Sequence, residues 1–165
     1  MSEKGININW YPGHMAKARR QMEEQLKMVD IVIELRDARM PLASANPLLE
    51  ELSRDRKRLI ILNKADKADE KENMKWATSF ERCILADSLN ERLTARVVSE
   101  VKDILKDKLE RARARGIRKK VLRAMVVGIP NVGESTFINN IVKKKIAKTE
   151  NRPGVTRSLQ WIRIN

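Results

Sequence analysis

Residues Gly128–Ser135 read GIPNVGES. A phosphate-cradling loop follows G-x-x-x-x-G-K-[ST], and this stretch meets every fixed position but one. Where the pattern has lysine, the chain carries Glu134. An apolar run, Ala124–Gly128 (AMVVG), precedes the loop, and a helix-forming run, Ser135–Lys143, follows it. That is the strand–loop–helix setting such a loop needs. Gly128 and Gly133 allow backbone N–H groups to curl around phosphate oxygens, with the helix N-terminus aimed at the charge. The candidate phosphate-loop residues are Gly128, Pro130, Asn131, Val132, Gly133, Glu134, Ser135 and Thr136. The Ser135 hydroxyl is placed to meet a magnesium ion.

Working outward, the next signal is NKAD, Asn63–Asp66, at the end of the apolar run RLIIL. A carboxylate there accepts two hydrogen bonds from the N1 and N2 donors of guanine. Adenine lacks that donor pair, so Asp66 selects guanine by leaving the wrong base unpaired. Asn63 can bond the O6/N7 edge, and the Lys64 stem can lie across base or ribose. Four residues alone make a weak motif. At the C-terminal end of a strand, beside a phosphate loop, they make a strong one, because ligands gather at that edge of such sheets. NKAD also disfavours an ATP-dependent reading. A third stretch, RPGVT (Arg152–Thr156), taken alone reads as a plain turn around Pro153–Gly154, with a magnesium-binding loop as the alternative and Gly154 and Thr156 as its candidates.

Composition bounds the partners. The chain has 165 residues, enough for one domain with a real core. Hydrophobic residues are 42% and aromatics only 4%, so aliphatic side chains must build that core. The net charge of +13 favours a polyanionic partner, nucleic acid above all. Ten Lys/Arg against three acids fall in Lys102–Arg123. That segment reads either as a solvated helix face or as a phosphate-backbone footprint. The single cysteine, Cys83, excludes an internal disulfide and a cysteine-rich zinc site, and suits a reducing cytoplasm. It sits in an apolar CILA run and reads as a buried structural thiol. No apolar run approaches a membrane span, and no signal-peptide core precedes the first helix.

Four runs read as buried parallel strands: Val29–Leu35, Arg58–Leu62, Cys83–Ala86 and Ala124–Gly128. Leu159–Ile164 alternates and reads as an edge or antiparallel strand. Helical patterns cover Ala16–Lys27, Pro47–Leu52, Glu70–Phe80, Glu91–Arg115 and Ser135–Lys143. In the longest, Val97, Val101, Leu105 and Leu109 stand four apart, and Gly116 is a natural stop. Strand alternating with helix predicts an α/β sheet with right-handed crossovers.

The order of the sites is informative. Ordinary GTPases carry the phosphate loop first and N-K-x-D late; here N-K-x-D comes first. Joining old termini and opening new ones keeps every strand in its spatial place. The chain resembles the ribosome biogenesis GTPase A family of circularly permuted GTPases. The resemblance rests on NWYPGHMAKA (Asn9–Ala18), DIVIELRDARMP (Asp30–Pro41), NKADKAD (Asn63–Asp69), GIPNVGES and NRPGVTRSLQW (Asn151–Trp161). It implies a three-layer, Ras-like P-loop GTPase fold, mostly parallel, circularly permuted and incomplete, with residues 1–165 as one domain. It implies binding of GTP/GDP with Mg2+ and K+, GTP hydrolysis, and late assembly of the large ribosomal subunit in the cytoplasm. The implied partners are ribosomal RNA and proteins of the subunit precursor, with no membrane.

By residue, the resemblance gives His14 a role in hydrolysis and Asn131 a potassium ion beside the phosphates. It gives Ser135 and Thr156 the magnesium, and it sets Asp87–Ser88 where a loop backs the guanine. Two departures follow. Glu134 replaces an ammonium that would face the β- and γ-phosphates. At about 4 Å one such pair is worth roughly 4 kcal/mol at an effective dielectric near 20, and reversing its sign approaches twice that. Impaired nucleotide binding and hydrolysis are expected. The D-x-x-G motif and the family's C-terminal helical domain are also absent from these residues, an expected truncation. A non-hydrolysing RNA-binding remnant is the alternative.

Overall fold

The computed structural model describes residues 12–45, 47–87, 92–128, 134–143, 147–150 and 159–164. In chain order the elements are α1 (Pro12–Met28), β1 (Ile31–Asp37), α2 (Pro47–Leu52), β2 (Arg58–Asn63), a 3-10 turn (Ala65–Lys67), α3 (Glu70–Ser79) and β3 (Cys83–Leu85). Then come α4 (Leu93–Ile104), α5 (Lys106–Ala114), β4 (Leu122–Gly128), α6 (Glu134–Lys143), β5 (Ala147–Glu150) and β6 (Leu159–Ile164).

These strands form one sheet in the order β3-β2-β1-β4-β6-β5. The four apolar runs pair in parallel, as their lack of polar alternation predicts. β6 is antiparallel to both β4 and β5. It is therefore an interior strand rather than an edge, and Trp161 and Ile162 are fully buried. The edge is β5, whose polar AKTE sequence carries no strand signal.

Side chains along β1 alternate between two cores. Ile31, Ile33 and Leu35 join Val97, Val101, Leu105 and Phe137 on the face covered by α4, α5 and α6. Val32 joins Leu26, Leu49, Met125 and Trp161 on the face covered by α1 and α2. Ile60 and Leu62 pack under Trp76 on α3 and Phe80 just after it, on that second side. Helix–sheet–helix layering follows directly, as the α/β reading requires.

Two helix expectations shift. α1 begins at Pro12, not Ala16, and proline suits a first turn because its missing N–H has no helical partner there. The single helix expected over Glu91–Arg115 is two, divided at Leu105, with φ −96° and ψ 16°. The division is a kink rather than a stop: the Leu105 N–H still donates to Val101 O at 3.0 Å. Leu105 stays buried, so the kink keeps the apolar stripe on the core as the chain turns toward β4.

Candidate functional site

Leaving β1, the chain builds outward through β2 to β3, then returns to lay β4 on the other side of β1. The strand order thus reverses between β1 and β4. In open α/β sheets the crevice at the carboxyl ends of such strands is where ligands bind. The register puts Asn63 and Gly128, the first residues of the two candidate motifs, there. Leu35 lies between Ile61 and Gly128, and Asp37 opposite Asn63. One strand, β1, separates the guanine motif from the start of the phosphate loop, about 10 Å across two strand spacings.

The NKAD turn is braced from three sides. The Asn63 carbonyl accepts the Ala38 N–H at 2.8 Å, tying the turn to the end of β1. The Ala65 N–H donates to Ala86 O at 3.0 Å, tying it to the end of β3. Asn73 Nδ2 donates to Ala65 O at 2.9 Å, tying it to α3. That helix is itself started by Asp69, whose side chain accepts the Glu72 N–H at 3.0 Å. Lys64 takes φ 61° and ψ 32°, the left-handed region, where a residue with a Cβ is uncommon. The result presents Asp66 to solvent. Its carboxylate has no hydrogen bond or ion pair among the described residues and is free to accept a ligand's donors.

Beside this turn, Asp37 closes β1 and forms a charged node that is itself buried. Oδ1 accepts the Arg39 backbone N–H at 2.9 Å and its Nε at 3.0 Å, and Oδ2 accepts its NH2 at 2.8 Å. The Lys64 ammonium lies 3.6 Å from Oδ2. The Asp37 N–H donates to Ser44 Oγ at 2.8 Å. The Arg39 hydrogen bond, opposed by burial and helped by the charges of Arg39 and Lys64, pulls the Asp37 carboxyl down to about 2. It stays ionised through the physiological range. Sequence reasoning gave Asp37, Arg39 and Ser44 no role of their own. The available signal was an acid and an arginine, two apart, at the end of a buried strand.

The model for the family described as 50S ribosome-binding GTPase matches residues 123–165. Ribosome biogenesis GTPase A of Bacillus pumilus is 45% identical over 163 residues, 96% of this chain and 58% of that protein. Its namesake in Bacillus cereus is 48% identical over 161 residues, 95% of this chain and 54% of the relative. That of Thermotoga maritima is 35% identical over 157 residues, 95% of this chain and 54% of the relative. The chain belongs to the ribosome biogenesis GTPase A family. It spans just over half the length of these curated relatives.

For this ribosome biogenesis GTPase A relative, the remaining candidates fall as follows. Gly128 ends β4 at the switch point. Glu134 and Ser135 open α6, and Thr136, half-buried, sits in its first turn. His14 lies in the first turn of α1. Pro130, Asn131, Val132, Gly133, Ser88, Gly154 and Thr156 lie outside the described residues. The magnesium and potassium assignments therefore have no described geometry. Asp87 follows β3 directly, beside Ala86 and its bond to the NKAD turn. Cys83 is half-buried at the start of β3, not fully buried as expected, because β3 is an edge strand. Desolvation still pushes its thiol up to about 11, which keeps it a poor nucleophile. Among the described residues, no helix is long and apolar enough to cross a membrane.

Proposed function

We propose that residues 1–165 form a circularly permuted GTPase domain that binds guanine nucleotide at the β1/β4 switch point. The domain hydrolyses GTP in assembling the large ribosomal subunit, in the cytoplasm, with activity weakened by Glu134. The observation that carries the reading is the Asp66 carboxylate, unpaired on a braced turn one strand away from Gly128. Asp66 and Asn63 would read guanine, and Lys64 would support the base. The N-terminus of α6, following β4 directly at that edge, fits a phosphate group. Ser135 and Thr156 would hold the magnesium, which when bound neutralises charge on the β- and γ-oxygens. Asn131 would hold potassium, and His14 would orient the attacking water. Subunit-precursor RNA and proteins are the proposed partners.

A second reading rests on Glu134 at the start of α6. A carboxylate there suits the helix dipole but repels the phosphates that the same N-terminus would bind. The chain would then hold RNA without turnover. A hydrolysis assay with and without large-subunit particles separates the two. Turnover that disappears in Asp66→Ala supports the enzyme; no turnover in either, with RNA binding intact, supports the second reading.

A further inference from the structure

The opposite end of β4 carries a chemically different surface. α5 closes at Gly116, whose φ of 84° turns the chain back. The Gly116 N–H donates to Arg113 O at 2.9 Å and the Ile117 N–H to Ala112 O at 3.0 Å. These bonds lay residues 117–121 beside α5 before the chain enters β4 at Leu122. Between the two runs lies a groove of about 640 Å³, with Leu109, Ala112 and Leu122 in its lining and Lys102, Arg113 and Lys119 among its cations. An adjoining hollow of about 210 Å³ is lined by Lys108, Arg111, Arg115 and Lys120.

Some surface cations elsewhere are matched with carboxylates. Arg19 meets Glu23 and Glu51, Lys75 meets Glu72, and Arg82 meets Glu100 and Asp103. Lys108 meets Asp30. Along the groove this stops. Among the described residues no carboxylate pairs with Arg111, Arg113, Arg115, Arg118, Lys119 or Lys120. Asp103 on α4 is already engaged by Arg82, and neither Asp107 nor Glu110 on α5 pairs with these cations among the described residues. Crowded unpaired cations raise the local positive potential and favour a polyanion that releases counterions on binding.

The lining also selects the kind of polyanion. Neither hollow is lined by an aromatic residue, so no platform exists there for stacking unpaired bases. Arginine and lysine alone suit phosphate oxygens along a duplex, a contact that reads shape rather than sequence. We propose that the groove between α5 and residues 117–121 binds the phosphate backbone of double-helical RNA. The choice of RNA over another polyanion rests on the assembly-factor reading above. Seven strand residues, about 20 Å, separate this groove from Gly128, so RNA and nucleotide occupy opposite ends of β4.

The test is fluorescence anisotropy with a labelled, mixed-sequence RNA duplex at several KCl concentrations. The triple variant Arg111→Ala/Arg115→Ala/Lys120→Ala should bind at least about tenfold more weakly near 100 mM salt. Its log–log salt slope should be shallower by about two to three. Unchanged affinity and slope would overturn the proposal. So would displacement of the duplex by polyglutamate of equal charge as effectively as by unlabelled duplex, because the surface would then be an acidic-protein site. Should the variant fail to fold, acetylation of the native chain gives a second measure. Lys119 and Lys120 should be protected when duplex is present, and full reactivity would count against the site. GDP titration on the same samples separates the two readings. A chain that binds GDP but not duplex loses this proposal alone; one that binds duplex but not GDP loses the nucleotide reading alone.

Discussion

The Lys64 ammonium lies 3.6 Å from Asp37 Oδ2, joining the guanine-motif turn to the end of the neighbouring strand. Lys64 stands between the two residues proposed to read the base, and the ion pair holds the tip of its stem toward the end of β1. Asp37 is thus a positioning residue for Lys64. Asp37→Asn should weaken GDP binding by two- to fivefold, the range of a partly exposed ion pair worth about 0.5–1 kcal/mol. A double-mutant cycle with Lys64→Ala checks the cause. Additive losses in titration calorimetry would show that the two residues act separately.

The same carboxylate makes stability depend on acid. Its pKa falls from the ordinary 3.8 to about 2 on folding, so its contribution is full above about pH 4 and disappears as pH drops toward 2. A shift of that size corresponds to about 2 kcal/mol. Urea unfolding should find Asp37→Asn less stable than the native chain by that order at pH 7. The gap should narrow at pH 3 and close near pH 2. A gap independent of pH would contradict the assignment.

Asp66 should decide which base is bound. Asp66→Ala removes the acceptor for two guanine donors and leaves them unpaired, so GDP affinity should fall at least a hundredfold. Asp66→Asn offers one donor and one acceptor, the complement of xanthine. Its preference should move toward xanthosine diphosphate. Since Asp66 is exposed and bonds nothing in the described fold, neither change should alter the melting temperature by more than a degree or two. A large loss of stability would make the residue structural instead.

How much was legible beforehand depended on how local each signal was. The β1, β2 and β4 runs are mostly apolar, as burial on both sheet faces favours, with Glu34, Arg36 and Asp37 the buried exceptions in β1. NKAD and GIPNVGES each follow an apolar run, so the placement of Asn63 and Gly128 at one sheet edge followed from strand ends alone. β5 escaped because a four-residue edge strand with three polar residues needs no apolar pattern. The break at Leu105 escaped because the four-residue spacing of the apolar stripe runs straight through it. Asp37 escaped because its partner Lys64 is 27 positions away and becomes adjacent only when β1 and β2 pair. Asp37 was one residue of a longer shared stretch.

A second buried charge cluster predicts a different outcome from the Asp37 node. Glu34 accepts Arg36 NH2 at 3.1 Å and Arg58 NH2 at 3.2 Å, and both Glu34 and Arg36 are about 1% exposed. Arg36 also lies 5.0 Å above the Phe80 ring and donates to Pro41 O at 3.3 Å. Glu34→Gln leaves a buried guanidinium without its counter-charge, a loss of about 3–5 kcal/mol in chemical unfolding. Adding Arg36→Met removes the orphaned cation and should restore most of the stability. If the double variant is no more stable than Glu34→Gln, the cost lies in packing rather than charge.

Glu134 offers the most direct test of competence. It opens α6, where partial positive charge from unpaired N–H groups favours both its own carboxylate and a phosphate. Glu134→Lys removes a carboxylate that repels phosphate and supplies an ammonium. Half of the roughly 8 kcal/mol separating attraction from repulsion would still exceed a hundredfold in affinity. Calorimetry with GDP and a non-hydrolysable GTP analogue should therefore find Glu134→Lys at least about a hundredfold tighter for both. The lysine loses a favourable first-turn charge, so the variant should be slightly less stable without ligand, by about 0.5 kcal/mol, and more stable with it. Equal affinities in the two chains would mean that the glutamate turns away from the phosphates, and that the native loop is as competent as its lysine counterpart.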